Sequence, residues 1–110
     1  MDAYLNPARR AWTELGASIR RKVDGHTPAL MSALAQFDED ADGTPHAPDV
    51  HEQIACVLSR SFEAEVGGVK RVIHVDEVFV ANHREMHGVV ALAPGSTLRD
   101  PFSPPRADDF

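Results

Sequence analysis

The sequence has little of several features that would narrow its function. Its 110 residues include a single cysteine, Cys56, so no disulfide can form within the chain, which fits a reducing compartment. Aromatic residues make up only 6%, and no apolar run is long enough to span a membrane. The first twelve residues, MDAYLNPARRAW, lack the apolar core of a signal peptide. These absences predict a cytoplasmic protein that has no membrane partner.

Motifs that carry catalysis are also missing. The chain has no glycine-rich phosphate loop, no nucleophile elbow and no zinc-protease motif. A nucleophilic thiol needs a nearby base and a lowered pKa, and the residues around Cys56 give no sign of either. The net charge of −6 argues against nucleic acid, because attraction to phosphates supplies most of that affinity. We therefore expect a protein that is not an enzyme, has no cofactor and binds no nucleic acid.

The composition is that of a folded protein with one domain. Hydrophobic residues make up 43% and charged residues 25%, which is ordinary for a globular chain of this length. Prolines are concentrated at the C-terminal end, in the segment GSTLRDPFSPPRADDF. Such a segment has no helical or strand period and favours an extended conformation. The predicted organisation is a single domain over 1–94 followed by an extended tail over 95–110.

The first two thirds of the chain predict three amphipathic helices. Asn6 is a good N-cap, Pro7 suits the first helical turn, and Gly25 is a typical end for the helix that follows. The second helix begins at Thr27 and the third at Asp49. Apolar residues recur at three- and four-residue steps in all three segments. They are Ala8, Ala11, Trp12, Leu15, Ile19 and Val23, then Leu30, Met31, Leu34 and Phe37, then Val50, Ile54, Val57, Leu58 and Phe62.

The period changes after Gly67 and Gly68. Three runs rich in β-branched residues, at 69–75, 78–81 and 89–93, predict strands. Residues 82–88 are the natural turn of an antiparallel hairpin between the last two runs. The expected fold class is therefore α+β: three amphipathic helices, a small antiparallel sheet of two or three strands and an extended proline-rich C-terminal tail.

An acidic loop lies between the second and third predicted helices. Asp38, Asp40 and Asp42 alternate, Gly43 follows, and Asp49 is the twelfth residue counted from Asp38. The segment resembles the EF-hand calcium loop, in which alternating carboxylates on a tightly curled loop converge on one ion. The resemblance implies a calcium site whose ligands are Asp38, Asp40, Asp42, the carbonyl of Thr44 and Asp49.

The same loop also has a purely structural interpretation. Asp, Gly, Pro and Thr form turns, and acidic side chains keep a linker solvated. Asp49 followed by Glu52 has the spacing of a capping box that begins a helix. The sequence leaves both interpretations open, so calcium is a possible cofactor.

Three histidines give a further alternative. His83 and His87 would share one face of a helix, and together with His74 they could bind a metal. The alternative function is then a small metal-dependent enzyme that uses His74, His83 and His87. In a hairpin turn the rings need not converge, and they would then be ordinary polar residues.

The favoured hypothesis is a non-catalytic interaction or structural subunit of a larger assembly. Residues 1–26 hold five Arg and Lys against three Asp and Glu, so the first predicted helix is basic within an acidic protein. This helix and the tail would be the contact surfaces for a protein partner or a second copy of the chain. The expected contact residues are Arg9, Arg20, Arg21, Leu98, Phe102 and Phe110. A calcium-binding module and a small metal-dependent enzyme are the two alternatives.

Overall fold

The computed structural model describes residues 3–16, 18–43 and 51–105, and in these ranges the chain is built from strands. One short 3-10 helix, Pro7–Arg9, precedes them. The strands are β1 (Thr13–Glu14), β2 (Ile19–His26), β3 (Met31–Phe37), β4 (Asp42–Gly43), β5 (Glu52–Ser59), β6 (Ser61–Val66), β7 (Val69–His74), β8 (Val78–Ala81), β9 (His87–Ala91) and β10 (Ser96–Ser103).

These strands form two antiparallel sheets. The larger sheet has the order β1-β2-β3-β10-β5-β8, and the smaller one has the order β4-β9-β6-β7. Consecutive strands from β3 to β10 pass repeatedly between the two sheets, which is the connectivity of a double-sheet jelly roll. Strands β1 and β2 extend the larger sheet beyond β3.

Tight turns join strands at each end of this sandwich. Gly67 and Gly68, at φ +57° and +84°, connect β6 to β7, as expected for a two-residue hairpin turn that needs positive φ. Arg60, at φ +63°, is the only residue between β5 and β6, so the chain changes sheet within one residue. The β5–β6 connection therefore brings the Ser59 end of one sheet beside the Ser61 end of the other.

The apolar core fills the space between the sheets near that connection. Phe62 and Val57 have no exposed surface, and the rings of Phe37 and Phe62 meet edge to face with centroids 5.1 Å apart. An aromatic pair in this geometry is stabilised beyond the burial of its area. The other buried members of this cluster are Ala41, Ala64, Ile73, Val89, Ala91 and Leu98.

The three predicted helices are wrong, and the expected α+β class is corrected to all-β. Residues Ile19–His26, Met31–Phe37 and Glu52–Ser59 are strands. The error has a physical reason: side chains four residues apart share a face both in a helix and in a strand. Ile19 and Val23 therefore fit either structure. Among the described residues, only the cap at Asn6 begins a helical turn: its Oδ1 accepts a hydrogen bond from the Ala8 N–H, and the turn ends at Arg9.

The C-terminal segment also differs from the expected extended tail. Residues Ser96–Ser103 form β10, which pairs with β3 on one side and β5 on the other at the centre of the larger sheet. The prolines concealed this strand, because proline is usually excluded from the interior of a sheet. Pro101 is nevertheless paired with Ser32 of β3.

The predicted strands at 69–75, 78–81 and 89–93 lie close to β7, β8 and β9. The predicted hairpin between the last two is wrong, because β8 pairs with β5 in the larger sheet and β9 pairs with β4 and β6 in the smaller one. Residues 82–86 cross from one sheet to the other. Within the described ranges, no helix has the length and apolar character needed to cross a membrane.

The core predicts a large difference between two substitutions. Phe62→Ala should lower the free energy of unfolding by about 3–5 kcal/mol, because it leaves a cavity against Phe37. Val80→Ala, at a half-exposed position on the outer face of β8, should cost less than about 1 kcal/mol. Urea unfolding followed by circular dichroism measures both. Equal costs for the two variants would contradict this assignment of the core.

Candidate functional site

The two ends of the sandwich differ in polarity. The end near the β5–β6 connection is filled by the apolar core. At the other end, Gln53 pairs with Ala81 and Phe102, and Phe102 pairs with Met31, so these residues form one row across the larger sheet. We call this end, together with the start of β9 in the smaller sheet, the open end. Polar side chains lie on its inner face.

Gln53 lies on the inner face of β5. Ala55 and Val57, two and four residues further, have no exposed surface, and side chains alternate along a strand. Gln53 therefore points between the sheets, where it is partly buried. His51 immediately precedes the strand, and its ring lies 6.1 Å from the ring of Phe102, measured between centroids. An amide and an imidazole thus lie beside an aromatic wall.

Asp100 is the acidic group of the open end. It lies on β10 between Leu98 and Phe102, both of which are buried, so the alternation places Asp100 on the same inner face. Its Oδ1 atom and the Nδ1 atom of His51 are both shielded from solvent. A carboxyl group in such an environment can accept or donate a proton at a fixed position.

Arg21 supplies a positive charge on the same sheet. It lies between Ile19 and Val23 on β2, and these two apolar residues pack against the two core clusters. Arg21 pairs in register with Ala35 of β3, which in turn pairs with Leu98 of β10. Among the described inner-face residues of the larger sheet, Arg21 is the basic one. Arg21 and Asp100 each make further contacts within the protein.

His87 is the first residue of β9 in the smaller sheet and lies at the open end. Val89 and Ala91 of the same strand are buried, so His87 shares their inward direction. Its Nδ1 atom is 3.2 Å from the carbonyl oxygen of Glu85, and its ring lies 6.3 Å from that of Phe79 between centroids. His87 pairs with Val66 at the end of β6 that lies opposite the β5–β6 connection.

Together, these residues can bind and protonate a small polar molecule. Asp100, His87 and His51 can exchange protons, Gln53 can both donate and accept hydrogen bonds, and Arg21 can pair with an anion. Phe102 and Met31 give the open end an apolar wall. Carboxylate, imidazole and amide groups on facing sheets around such a wall are typical of a binding site for a small ligand.

The residues of the predicted calcium loop lie elsewhere. Asp38 and Asp40 belong to the exposed connection between β3 and β4, and Asp42 is the first residue of β4. Thr44 and Asp49 lie outside the described residues. The Asp40 N–H donates to the Ala91 carbonyl, so the connection is an ordinary turn fixed by backbone hydrogen bonds. The EF-hand resemblance is wrong, because strands and not helices flank this segment.

The predicted contact residues are divided between the surface and the interior. Arg9 is exposed at the end of the 3-10 helix, and Arg20 is held by the side chain of Gln36 and lies over the ring of Trp12. Arg21 lies on the inner face of β2, in the row of Ala35 and Leu98. Leu98 and Phe102 are only 5% and 6% exposed and belong to the interior. Phe110 lies outside the described residues.

The three histidines of the predicted metal enzyme do not lie together. His74 is exposed at the end of β7, and His83 is exposed in the connection between β8 and β9. Only His87 faces the open end. Within the described ranges, no group of three or more His, Cys, Asp and Glu side chains could hold a metal ion.

Sequence reasoning missed Gln53, Asp100, His51 and the inward direction of Arg21. Gln53 lies at two-residue steps from the buried residues Ala55 and Val57, and Asp100 lies two residues from both Leu98 and Phe102. A polar residue on the same face of a strand as buried apolar residues was the available signal. A helical interpretation of β5 and an extended interpretation of β10 concealed it.

A polar pocket lies away from this site. Its volume is about 290 Å³, and its lining includes Glu14, Arg20, Gln36 and Asp38. Arg20 already donates hydrogen bonds to Gln36 there. The pocket contains none of the inner-face residues of the open end.

Comparison with known proteins gives full-length similarity. The chain is 44% identical over 108 residues to the pectin degradation protein KdgF of Dickeya dadantii (strain 3937), covering 98% of each chain. The structure of KdgF from Halomonas sp. superposes with a TM-score of 0.94 at 40% identity, over 100% of both chains. An RmlC-like cupin from Shewanella frigidimarina NCIMB 400 gives a TM-score of 0.92 at 27% identity, over 100% of this chain and 97% of that one. No family model matches the chain.

These relationships overturn three predictions. The chain is not related to EF-hand proteins, and the hypothesis of a non-catalytic assembly subunit is wrong together with its calcium-binding alternative. The expectation that the protein is not an enzyme is corrected as well. The absence of a known catalytic motif was misleading, because the polar inner-face groups come from separated strands of both sheets and share no local spacing.

Proposed function

The chain belongs to the KdgF family of cupin proteins, and from this premise we propose that it is an enzyme of pectin breakdown. Its substrate would be a small uronate released from pectin, bound at the open end, and its reaction would be a proton transfer within that sugar. The observation that supports this most directly is the full-length 44% identity to a pectin degradation protein. The inner-face groups described above supply the chemistry.

A uronate explains the need for a basic side chain inside the sandwich. Pectin is a polymer of galacturonate, so its fragments carry a carboxylate on each sugar ring. Arginine binds carboxylates through two parallel hydrogen bonds, which fixes both position and orientation. We assign this role to Arg21. Gln53 would bind a sugar hydroxyl, and the ring of Phe102 would contact the apolar face of the sugar.

Proton transfer requires groups that can gain and lose a proton close to the bound sugar. Asp100 on β10 and His87 on β9 come from opposite sheets, so a sugar between them would have one such group on either side. A positioned acid and base of this kind each contribute about 10²–10⁴ to a rate. We assign proton transfer to Asp100 and His87, with His51 beside Phe102 as a further polar contact.

Metal ions are common in cupin proteins. His87 and Gln53 have donor atoms suited to a metal, but the described residues do not include the three or more His, Cys, Asp and Glu side chains that would complete a site. The roles given above are assigned to the protein's own side chains. The absence of a cofactor stays a prediction, which elemental analysis of the purified protein would test.

The cytoplasmic location and the binding of a protein partner also stay predictions. A cytoplasmic location agrees with the single cysteine of the chain, because thiols are kept reduced there. The partner would be another protein or a second copy of the chain. Light scattering of the purified protein would measure its oligomeric state.

The proposed activity can be tested on uronates of defined origin. The protein is incubated with galacturonate and, separately, with the uronates that a lyase releases from polygalacturonate, and the sugars are followed by proton NMR. We expect conversion of one of these to an isomer of the same mass. If neither mixture changes, with or without added divalent metal, the proposal is wrong.

Asp100→Asn should lower kcat about 100-fold or more, because the amide keeps the shape of the carboxyl group but cannot transfer its proton. The control is Asp76→Asn, at an exposed turn position with φ +71°, where asparagine is well tolerated. Asp76→Asn should retain full activity. Comparable activity in Asp100→Asn and the wild-type protein would remove Asp100 from the reaction.

Arg21→Ala should raise KM about tenfold or more and change kcat less, because it removes a contact to the carboxylate that does not take part in the reaction. Arg21→Lys should recover part of the affinity, since it restores charge without the paired hydrogen bonds. Arg20→Ala is the matched control, because its side chain leaves the opposite face of the same strand. An unchanged KM in Arg21→Ala would contradict the assignment.

A further inference from the structure

The orientation of His87 depends on the segment that precedes it. Residues 82–86 carry the chain from β8 in the larger sheet to β9 in the smaller one, and His87 is the first residue after this crossing. Because the strand continues only on the C-terminal side of His87, the direction of its ring depends on how this loop is held.

The imidazole contacts the loop directly. Nδ1 of His87 lies 3.2 Å from the carbonyl oxygen of Glu85. A carbonyl oxygen can only accept a hydrogen bond, so Nδ1 must carry the proton in this contact. In the neutral ring, the lone pair is then on Nε2. The tilted ring of Phe79, 6.3 Å away between centroids, lies against the imidazole.

The side chain of Glu85 closes the loop on itself. Its Oε1 atom accepts a hydrogen bond of 3.2 Å from the Asn82 N–H, and the Glu85 N–H donates to the Asn82 carbonyl at 3.1 Å. The two ends of the loop are thus tied together by one residue. The carbonyl that orients His87 belongs to that same residue.

The loop is also fixed against the β6–β7 turn. The Gly67 N–H donates to the Met86 carbonyl at 2.9 Å. A Cβ atom added to Gly67 would lie only 3.1 Å from Oε2 of Glu85, so the absence of a side chain lets the Glu85 carboxylate approach the turn. Glu85 therefore lies between its own loop and the neighbouring turn.

We propose that Glu85 is a positioning residue. By closing the loop and placing its carbonyl oxygen on Nδ1, it holds His87 in the Nδ1–H tautomer with Nε2 directed to the open end. The proposal rests on the proposed function only for the role of His87 in the reaction. The tautomer and its dependence on Glu85 are properties of the protein without substrate.

Nitrogen-15 NMR of the imidazole rings measures the tautomer directly. The protein is labelled at its histidines and studied over a range of pH, and the His87 signals are identified by their absence from a His87→Gln variant. The wild-type protein should show the Nδ1–H pattern. A wild-type ring in the Nε2–H tautomer would overturn the proposal.

Glu85→Ala should convert His87 to a mixture of tautomers and lower kcat about tenfold, with a smaller change in KM. Glu85→Gln keeps an oxygen that can accept from Asn82, and it should retain the wild-type pattern. The matched control is Glu77→Ala. Glu77 makes the equivalent contact in another loop, where its Oε1 atom accepts from the His74 N–H at 2.7 Å, but it lies away from His87. An unchanged His87 tautomer in Glu85→Ala would contradict the proposal.

Two glycine variants separate this contact from general backbone strain. Gly67→Ala should displace the Glu85 carboxylate and give the same mixture of tautomers. Gly68→Ala has a similarly strained backbone, at φ +84°, but nothing lies within 4 Å of the added Cβ. It should retain the wild-type pattern. Identical His87 spectra for these two variants would overturn the proposed contact.

The two proposals can fail independently. Full activity of His87→Gln on the uronates would remove His87 from the proposed reaction. The tautomer measurement, which uses no substrate, would still decide the role of Glu85.

Discussion

The pairing of β10 with both β3 and β5 is the constraint on which the rest of the structure depends. This strand is the last described element in the chain, yet it lies at the centre of the larger sheet. Without it, β2 and β3 would be separated from β5 and β8. Its alternation also places Leu98 in the apolar core and Asp100 at the open end, so one strand serves both stability and the proposed chemistry.

The sandwich divides its interior by polarity along the strand direction. Phe37 and Phe62 pack edge to face where the sheets are joined by the shortest connection, and water is excluded there. Toward the open end the same inner faces carry Gln53, Asp100 and His87. Burying such groups is costly unless they find partners. Asp100 and His87 each make contacts within the protein.

The inner faces of the sheets also show how the groups that we propose for catalysis can come from distant segments without a local motif. Arg21, Gln53, Asp100 and His87 come from β2, β5, β10 and β9, so their spacing in the sequence is irregular. Two-residue alternation alone decides that each of them points inward. We propose that the crossing loop before His87, closed by Glu85 and held against Gly67, also sets the tautomer of that ring, which strand register does not decide.

The sequence by itself determined the local features: the cap at Asn6, the glycine turn at Gly67 and Gly68, and the runs that became β7, β8 and β9. Local chemistry decides such features, because a cap or a turn needs only a few neighbouring residues. The tertiary structure alone decided that residues 19–26, 31–37 and 52–59 are strands, that β8 and β9 join different sheets, and that Asp100 lies on the inner face. Those outcomes depend on pairing between distant segments, and an apolar residue every fourth position is compatible with both a helix and a strand.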